Sequence, residues 1–557
     1  MKKRRAVSFM LALTMIAACV SGCQSGGGES SAASSGGSSA ASGSSETASE
    51  IPNFNPTGYP ICPDETVTIE AMVNANPQMP SDLNDIPLLQ EAEEIMNVHV
   101  DWNLVPQTGW NEKKSLALAT GDLPDVFDSA LTTSDLTRYG PDGTLIPMQD
   151  LLDEYGVNFA RLYEEFPDLK TYITAPDGNI YGVARVNSGP WMTTTGVGVI
   201  NKDWLDKLGL EMPTTLEEFH QVLQAFKTQD PNGNGQTDEI PFAFAKGTRS
   251  PLTENEGITY ILNSFGIAIS NSDETYADVI DGKVICQATL PEFKEGISYI
   301  AQLYQEGLMD MEGFTRTEAD MIALLNQETP TVGYLQLWDI NDIVSNPDNN
   351  AALEYMPLLL HEDGREPVTY RNPMPGVVRG WGCITSACEH PEVVMRWIDY
   401  FYEETNSIEH IEGPIGVRLI EGEDGTLTVR EPPEGLTVAD DRFANCEAQL
   451  LAVTPKMYTE RLKLPSTDKK VAFVEENVHP YADPDPMQPV YYSAEEATEM
   501  SQLQTDIQTY IDQKVSEWMT NGNIDAEWDT YLSELDNMGL QRWLEIKQAA
   551  YDRYMAE

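Results

Sequence analysis

The stretch Asp230-Pro231-Asn232-Gly233-Asn234-Gly235-Gln236-Thr237-Asp238-Glu239 sets an oxygen-bearing side chain on every second residue around two glycines. That pattern suits a hard cation. Calcium takes about six to eight oxygen ligands, and an EF-hand loop supplies them from positions 1, 3, 5, 7 and 9 with glycine at 6, position 7 acting through its main-chain carbonyl. Counted from Asp230, residues Asn232, Asn234, Gln236 and Asp238 fall on positions 3, 5, 7 and 9, and Gly235 falls on 6. Position 12 is Pro241 where an EF-hand has a bidentate glutamate. Glu239 at position 10 is the nearest substitute, so the loop is expected to close earlier and tighter. A surface turn is the competing reading, because Asn-Gly-Asn-Gly is also turn chemistry, but a turn gives no reason for acids at both ends.

The elements that must hold this loop are readable around it. Thr214 and Glu217 are spaced as a capping box. Phe219, Val222, Leu223 and Phe226 then follow at i, i+3, i+4 and i+7, the apolar stripe of a helix over 214–227. The helix ends against the Asp230 loop, where the negative end of its dipole disfavours carboxylates unless a cation is bound. Upstream, 65–73 alternates as a strand, 88–96 reads as a helix and 98–102 as another strand, which predicts βαβ units and a largely parallel sheet. Further strands are expected at 197–201 and 331–337, and helices at 202–208, 291–307, 317–327, 391–404 and 498–519. Trp204, Trp397, Trp518, Trp528 and Trp543 sit at helical spacing and are assigned to the core. The alternation predicts a two-lobed α/β protein with a helical C-terminal tail.

The first 22 residues have the layout of a secretory signal: basic Lys2 to Arg5, an apolar run over 6–20, then Ser21-Gly22. Val20-Ser21-Gly22 before Cys23 resembles a lipobox, in which the cysteine is diacylated and becomes the mature N-terminus. Residues 24–50 are almost entirely Ser, Gly, Ala and Thr, a flexible tether of about 30 Å. No later segment reaches the ~20 apolar residues of a membrane span. The net charge of −55 disfavours nucleic acid, anionic lipid and strongly anionic ligands. Beyond Cys23 the mature cysteines are Cys62, Cys286, Cys383, Cys388 and Cys446, without metal-finger spacing. At most one or two bridges are expected, with buried thiols the default.

Gly121-Asp122-Leu123-Pro124-Asp125, Asp177-Gly178-Asn179-Ile180-Tyr181-Gly182 and residues 201–210 with Pro213-Thr214-Thr215 are similar to segments of bacterial family 1 extracellular solute-binding proteins. The likeness is to the large lipoprotein subgroup of carbohydrate ABC importers. It continues through His390-Pro391-Glu392, Glu412-Gly413 and Gly522-Asn523-Ile524-Asp525. The loop closing on Asp238-Glu239-Ile240-Pro241 resembles the subgroup's calcium loop, implying a structural Ca2+ on Asp230, Asn232, Asn234, Gln236, Asp238 and Glu239. The resemblance implies a two-lobed periplasmic-binding-protein-like fold of type II with an interlobe cleft. It places the first lobe at 53–185 plus about 378–430, and the second at 186–377 plus about 431–557. The implied partners are an oligosaccharide, permease subunits of an ABC importer, and the outer face of the cell membrane through Cys23. A monomer is expected.

Sugar faces stack on aromatic rings, and their hydroxyls need fixed donors and acceptors. The candidates for this role lie in non-periodic segments: Tyr181 and Trp191 near the first lobe crossing, Trp338 with Asp339 after a strand, and Trp381 beside Arg379. Asp128 and Ser129 follow a strand end, where open α/β sheets meet ligands. Asn74 and Asn76 occupy the loop after the first strand. Packing competes with stacking for each aromatic. A surface glycosidase or lyase is the rival function, since paired carboxylates suffice for glycoside cleavage, though no compact motif singles out a pair. A calcium-dependent adhesin would need an exposed binding face.

Overall fold

The computed structural model describes residues 53–190, 192, 196–246, 251–252, 257–270 and 274–556. The expected signal, Cys23, the tether and Trp191 lie outside them. The first lobe is built on Val67–Ala75, which pairs in parallel with Val98–Pro106 on one side and Val126–Phe127 on the other. Cys383–Ile384 closes the sheet antiparallel to Val126–Phe127. The intervening helix, Pro87–Met96, starts on a proline, whose missing N–H costs nothing in the first turn. The strand-helix-strand pattern of the sequence is therefore a parallel βαβ unit.

The second lobe differs from that expectation. Its sheet runs in the order Leu353–Tyr355, Val197–Asn201, Val332–Leu337, Ile240–Phe242, and Val197–Asn201 is antiparallel to both neighbours. Only Ile240–Phe242 and Val332–Leu337 run parallel. The helix Leu216–Thr228 covers this sheet and buries Leu216, Phe219, Val222, Leu223 and Phe226, each worth about 2 kcal/mol of apolar transfer. Its cap lies one residue later than the spacing predicted. Thr215 accepts from Glu218 N at 3.2 Å, and Glu218 Oε2 accepts from Thr214 N at 2.9 Å. The doublet Thr214-Thr215 offers the N-cap in two registers, and the helix takes the later one, with Glu218 reaching back to Thr214 in place of the N-cap N–H.

Between the lobes, Val183–Asn187 pairs antiparallel with Val377–Trp381 and parallel with Ala452–Val453. The chain passes between the apolar clusters of the two lobes three times: after Val186, before Val377 and after Leu464. The resemblance places residues 431–464 in the second lobe. Leu427–Val429 pairs with Leu462–Lys463, and Phe443, Leu451 and Leu462 share a cluster with Ile408 and Leu419, against which Met79 and Leu88 of the first lobe pack.

The tail comprises helices Ala494–Asn521, Ile524–Asn537 and Leu540–Ala556. Trp518, Trp528 and Trp543 bury into the second lobe with Trp204, and Trp397 into the first. Cys62, Cys286, Cys383, Cys388 and Cys446 are all free thiols. Among the described residues no helix is long and apolar enough to cross a membrane.

Candidate functional site

A cavity of about 390 Å³ opens where the sheet of Val183–Asn187, Val377–Trp381 and Ala452–Val453 meets the lobes. The first lobe supplies Asn74, Asn76, Gln107 and Ser129; the connecting strands supply Arg185, Asn187 and Trp381; the second lobe supplies Trp338. Glu412, Arg442, Phe443 and Tyr458 line the remaining wall. Five residues singled out in the sequence are thus brought together: Asn74, Asn76, Ser129, Trp338 and Trp381. Asn74 sits on the last residues of the first strand, not in the loop after it, and its N–H donates to Ser129 Oγ at 2.9 Å.

Four other candidates do not line the cavity, and each is engaged elsewhere in the fold. Asp128, adjacent to Ser129, is fully buried, with Glu447, His410 and Arg185 as its charged neighbours. Asp339, after Trp338, caps the short helix Ile340–Ile343 by accepting from Asn341 N at 2.8 Å. Tyr181 is buried in the first lobe, its hydroxyl donating to Asp177 Oδ2 at 2.6 Å. Arg379, buried on the connecting strand, lies between the rings of Tyr172 and Tyr491, at 4.6 and 4.0 Å. It donates to Tyr172 O, Pro489 O and Val490 O at 2.8, 2.6 and 3.0 Å. Tyr172 belongs to the first lobe and Val490 to the second, so Arg379 clamps the lobes together at the hinge.

Trp381 reaches the cavity because Gly380 adopts φ +77°, where a Cβ would stand 2.5 Å from Leu131 O. The pairing register slips between Val378 and Trp381, which turns the indole out of the strand's alternation. Arg185 stacks over it at 5.5 Å and donates to Ala448 O from Nε and Nη2 at 3.2 and 3.1 Å. Burial pulls the Arg185 pKa down to about 10. Sequence reasoning missed Arg185 and Asn187, although VARVN carries the signal: they alternate with the buried Ala184 and Val186. Tyr458 then donates to Asn187 Oδ1 at 2.5 Å. Arg442, Glu412 and Tyr458 were invisible, coming from segments distant in sequence.

Beneath the wall lies a buried acid pair with a histidine. His410 Nδ1 faces Leu450 O at 2.7 Å, so Nδ1 carries the proton, and Nε2 faces Glu447 Oε2 at 3.1 Å. A neutral His410 requires Glu447 to be the donor. Burial lowers His410 to about 4 and raises Glu447 to about 7, matching that assignment. Burial, then Glu447, raises Asp128 well above the ordinary carboxyl value. Above it, burial opposes the charge of Arg442, but Asp342 and Glu412 hold its pKa above the usual value.

The Asp230 loop lies apart from the cavity, beyond the C-terminus of Leu216–Thr228. Gly233 and Gly235 adopt φ +74° and +76°. Asp230 Oδ1 and Glu239 Oε1 are buried without partners, and burial, then Asp238 and Asp230, raises the Glu239 pKa. Asn232 and Asn234 turn amide nitrogens toward Asp238 at 3.0–3.1 Å; a half-turn of each amide would present oxygen instead. Among the described residues no three His, Cys, Asp or Glu side chains are gathered to hold a metal. A cation here would rely on amide and main-chain oxygens as well as the acids, and the orphaned carboxylate oxygens fit that chemistry.

Two lobes joined by three connections, with an aromatic and polar cavity at the junction, define a binding protein that can close on a small solute. The sequence model of the bacterial extracellular solute-binding protein family matches residues 81–407. The chain is 34% identical over 531 residues to the fructooligosaccharide ABC transporter substrate-binding protein FusA of Streptococcus pneumoniae, covering 92% of this chain and 95% of FusA. Solved FusA with bound kestose superposes with a TM-score of 0.79 at 33% identity, over 88% of this chain and 99% of FusA. A solute-binding protein from Bifidobacterium longum infantis, 24% identical with a TM-score of 0.72 over 88% and 99% of the two chains, shares the fold. This chain belongs to the bacterial extracellular solute-binding protein family. It is a substrate-binding component of ABC transport and not an enzyme.

Proposed function

We propose that this protein captures a neutral oligosaccharide in the interlobe cavity and passes it to an ABC importer, while tethered to the outer face of the membrane through lipid on Cys23. The carrying observation is the cavity wall. It sets two tryptophans beside a dense set of donors and acceptors, and three polar atoms of lining residues, Asn74 Oδ1, Trp381 Nε1 and Arg442 Nε, have no protein partner. Buried polar groups are nearly always paired, and sugar hydroxyls both donate and accept. The wall's charges are largely balanced internally, with Arg442 facing Glu412 and Asp342, which favours an uncharged ligand. FusA, solved with kestose, makes short fructans the first candidates.

A calcium ion in the Asp230 loop would be held by Asp230, Asn232, Asn234, Gln236, Asp238 and Glu239 and would neutralise acids at a helix C-terminus. A FusA structure carries an EF-hand mutation, in line with this assignment. The ion's part is structural, staying in the second lobe away from the ligand.

Calorimetry against kestose, nystose, maltotriose and trigalacturonate, with product analysis of the same mixtures, tests the reading. Saturable binding of a neutral oligosaccharide without turnover is the expected result. Turnover, or binding restricted to the uronate, would overturn it. Mass spectrometry of the membrane-extracted protein decides the anchor, since a diacylated Cys23 at the N-terminus is expected.

A further inference from the structure

Trp338 is the cavity residue contributed by the second lobe, at the end of the strand Val332–Leu337. One face of its ring is already taken. Lys470, on the helix Pro465–Asn477, places its ammonium 4.0 Å from the indole centroid, and the same nitrogen donates to the main-chain oxygen of Trp338. Lys470 is 1% exposed. An ammonium is costly to bury, and an apolar side chain of equal length would fill the space at lower cost. The charge is kept where it grips one tryptophan twice, by ring and by backbone. Burial pushes the Lys470 pKa down, while Asp339 and Asp342, the acids facing it, oppose that push. Asp339 in turn fixes the next helix turn through Asn341 N.

We infer that Lys470 is the positioning residue of the second lobe's sugar contact: it locks the Trp338 indole with one face covered, so that only the opposite face is offered to a ligand. The inference rests on the reading of the cavity as an oligosaccharide site. A matching arrangement exists on the other wall, where Arg185 covers Trp381 at 5.5 Å and is held by Ala448 O. Each cavity tryptophan is thus braced by its own cation. A loose indole would lose rotational freedom on stacking, and a braced one has already lost it. The cost of removing the brace should therefore appear in affinity and pass through Trp338.

A double-mutant cycle on the full chain tests this, with kestose as the probe in calorimetry. Lys470→Met keeps the length and removes the charge, and it should weaken Kd about tenfold. In a Trp338→Ala background the same change should do nothing further. Lys470→Arg should restore binding to within about twofold. Equal losses in both backgrounds, or wild-type affinity in Lys470→Met, would overturn the role. Should Lys470→Met fail to fold, Lys470→Gln read against Lys470→Arg gives the same comparison. If the wild-type protein binds no sugar of the panel, the site reading fails separately. The brace is then read from iodide quenching of Trp338, taken as the difference from Trp338→Phe. Increased quenching in the Lys470 variants supports it, and unchanged quenching overturns it.

Discussion

Adjacent residues just past the strand ends have different surroundings here. Ser129 and Trp338 face the cavity, and their neighbours Asp128 and Asp339 do not. Trp338→Ala and Trp381→Ala should each weaken oligosaccharide binding by about 2 kcal/mol, the loss typical of a buried aromatic anchor. Tyr181→Phe, whose hydroxyl meets Asp177 and Asn179, should leave Kd unchanged in the same titration. Asp128 supplies a pH test. Its native pKa is raised by burial and by Glu447, so the folded state keeps a proton that the unfolded chain releases near the ordinary carboxyl value. Stability must then fall as pH rises above that value. Glu447 and His410 add little slope between the ordinary Glu and His values. There the unfolded chain holds one proton on His410, and the folded chain holds one on Glu447. Asp128→Asn should therefore raise Tm at pH 8, with the gain shrinking toward pH 4; an equal gain at both would show that Asp128 is ionised in the fold.

At the scale of elements, the helix Leu216–Thr228 and the Asp230 loop act as one unit. Five apolar residues pin the helix to the sheet, and the loop's acids gather at its negative end. Chelation should lower the Tm of the wild-type protein, since an ion bound only by the folded state stabilises it by mass action. Asp230→Ala should melt at the chelated temperature and ignore the chelator. Differential scanning fluorimetry with EDTA and with added CaCl2 reads both effects. Much of this unit was legible in the sequence because its signals are local: i, i+3, i+4 periodicity, glycines at left-handed positions, alternating oxygens. The direction of Val197–Asn201 was not, because strand pairing is set by where the chain re-enters the lobe after each crossing.

For the whole molecule, the hinge is the decisive feature. Three chain crossings and the Arg379 clamp join the lobes, and on the proposed reading a ligand stacked on Trp338 and Trp381 would bridge them. Small-angle scattering should show the radius of gyration falling when a bound oligosaccharide is added, and no change in the Trp338→Ala variant. The net charge of −55 gives a second whole-molecule test. A neutral ligand should bind with a Kd that barely moves between low salt and about 0.5 M salt, because screening acts on charged pairs. A strong salt dependence would point to an acidic sugar.

By itself the sequence determined the class of fold, the composition of the core, the Asp230 loop and five of the cavity residues, since each of these is written in local periodicity, composition or short motifs. Trp204, Trp397, Trp518, Trp528 and Trp543 are buried as their helical spacing required. Only the tertiary structure decided which polar residues meet. Arg185 on one side, and Glu412, Arg442 and Tyr458 on the other, reach one cavity from segments more than 200 residues apart. Asp128 was taken into the buried layer beneath the wall and Asp339 into a helix cap, and Lys470 came to rest against Trp338 across 132 residues. The physical reason is that a binding wall is made where separate chain crossings converge, and no local pattern encodes that convergence.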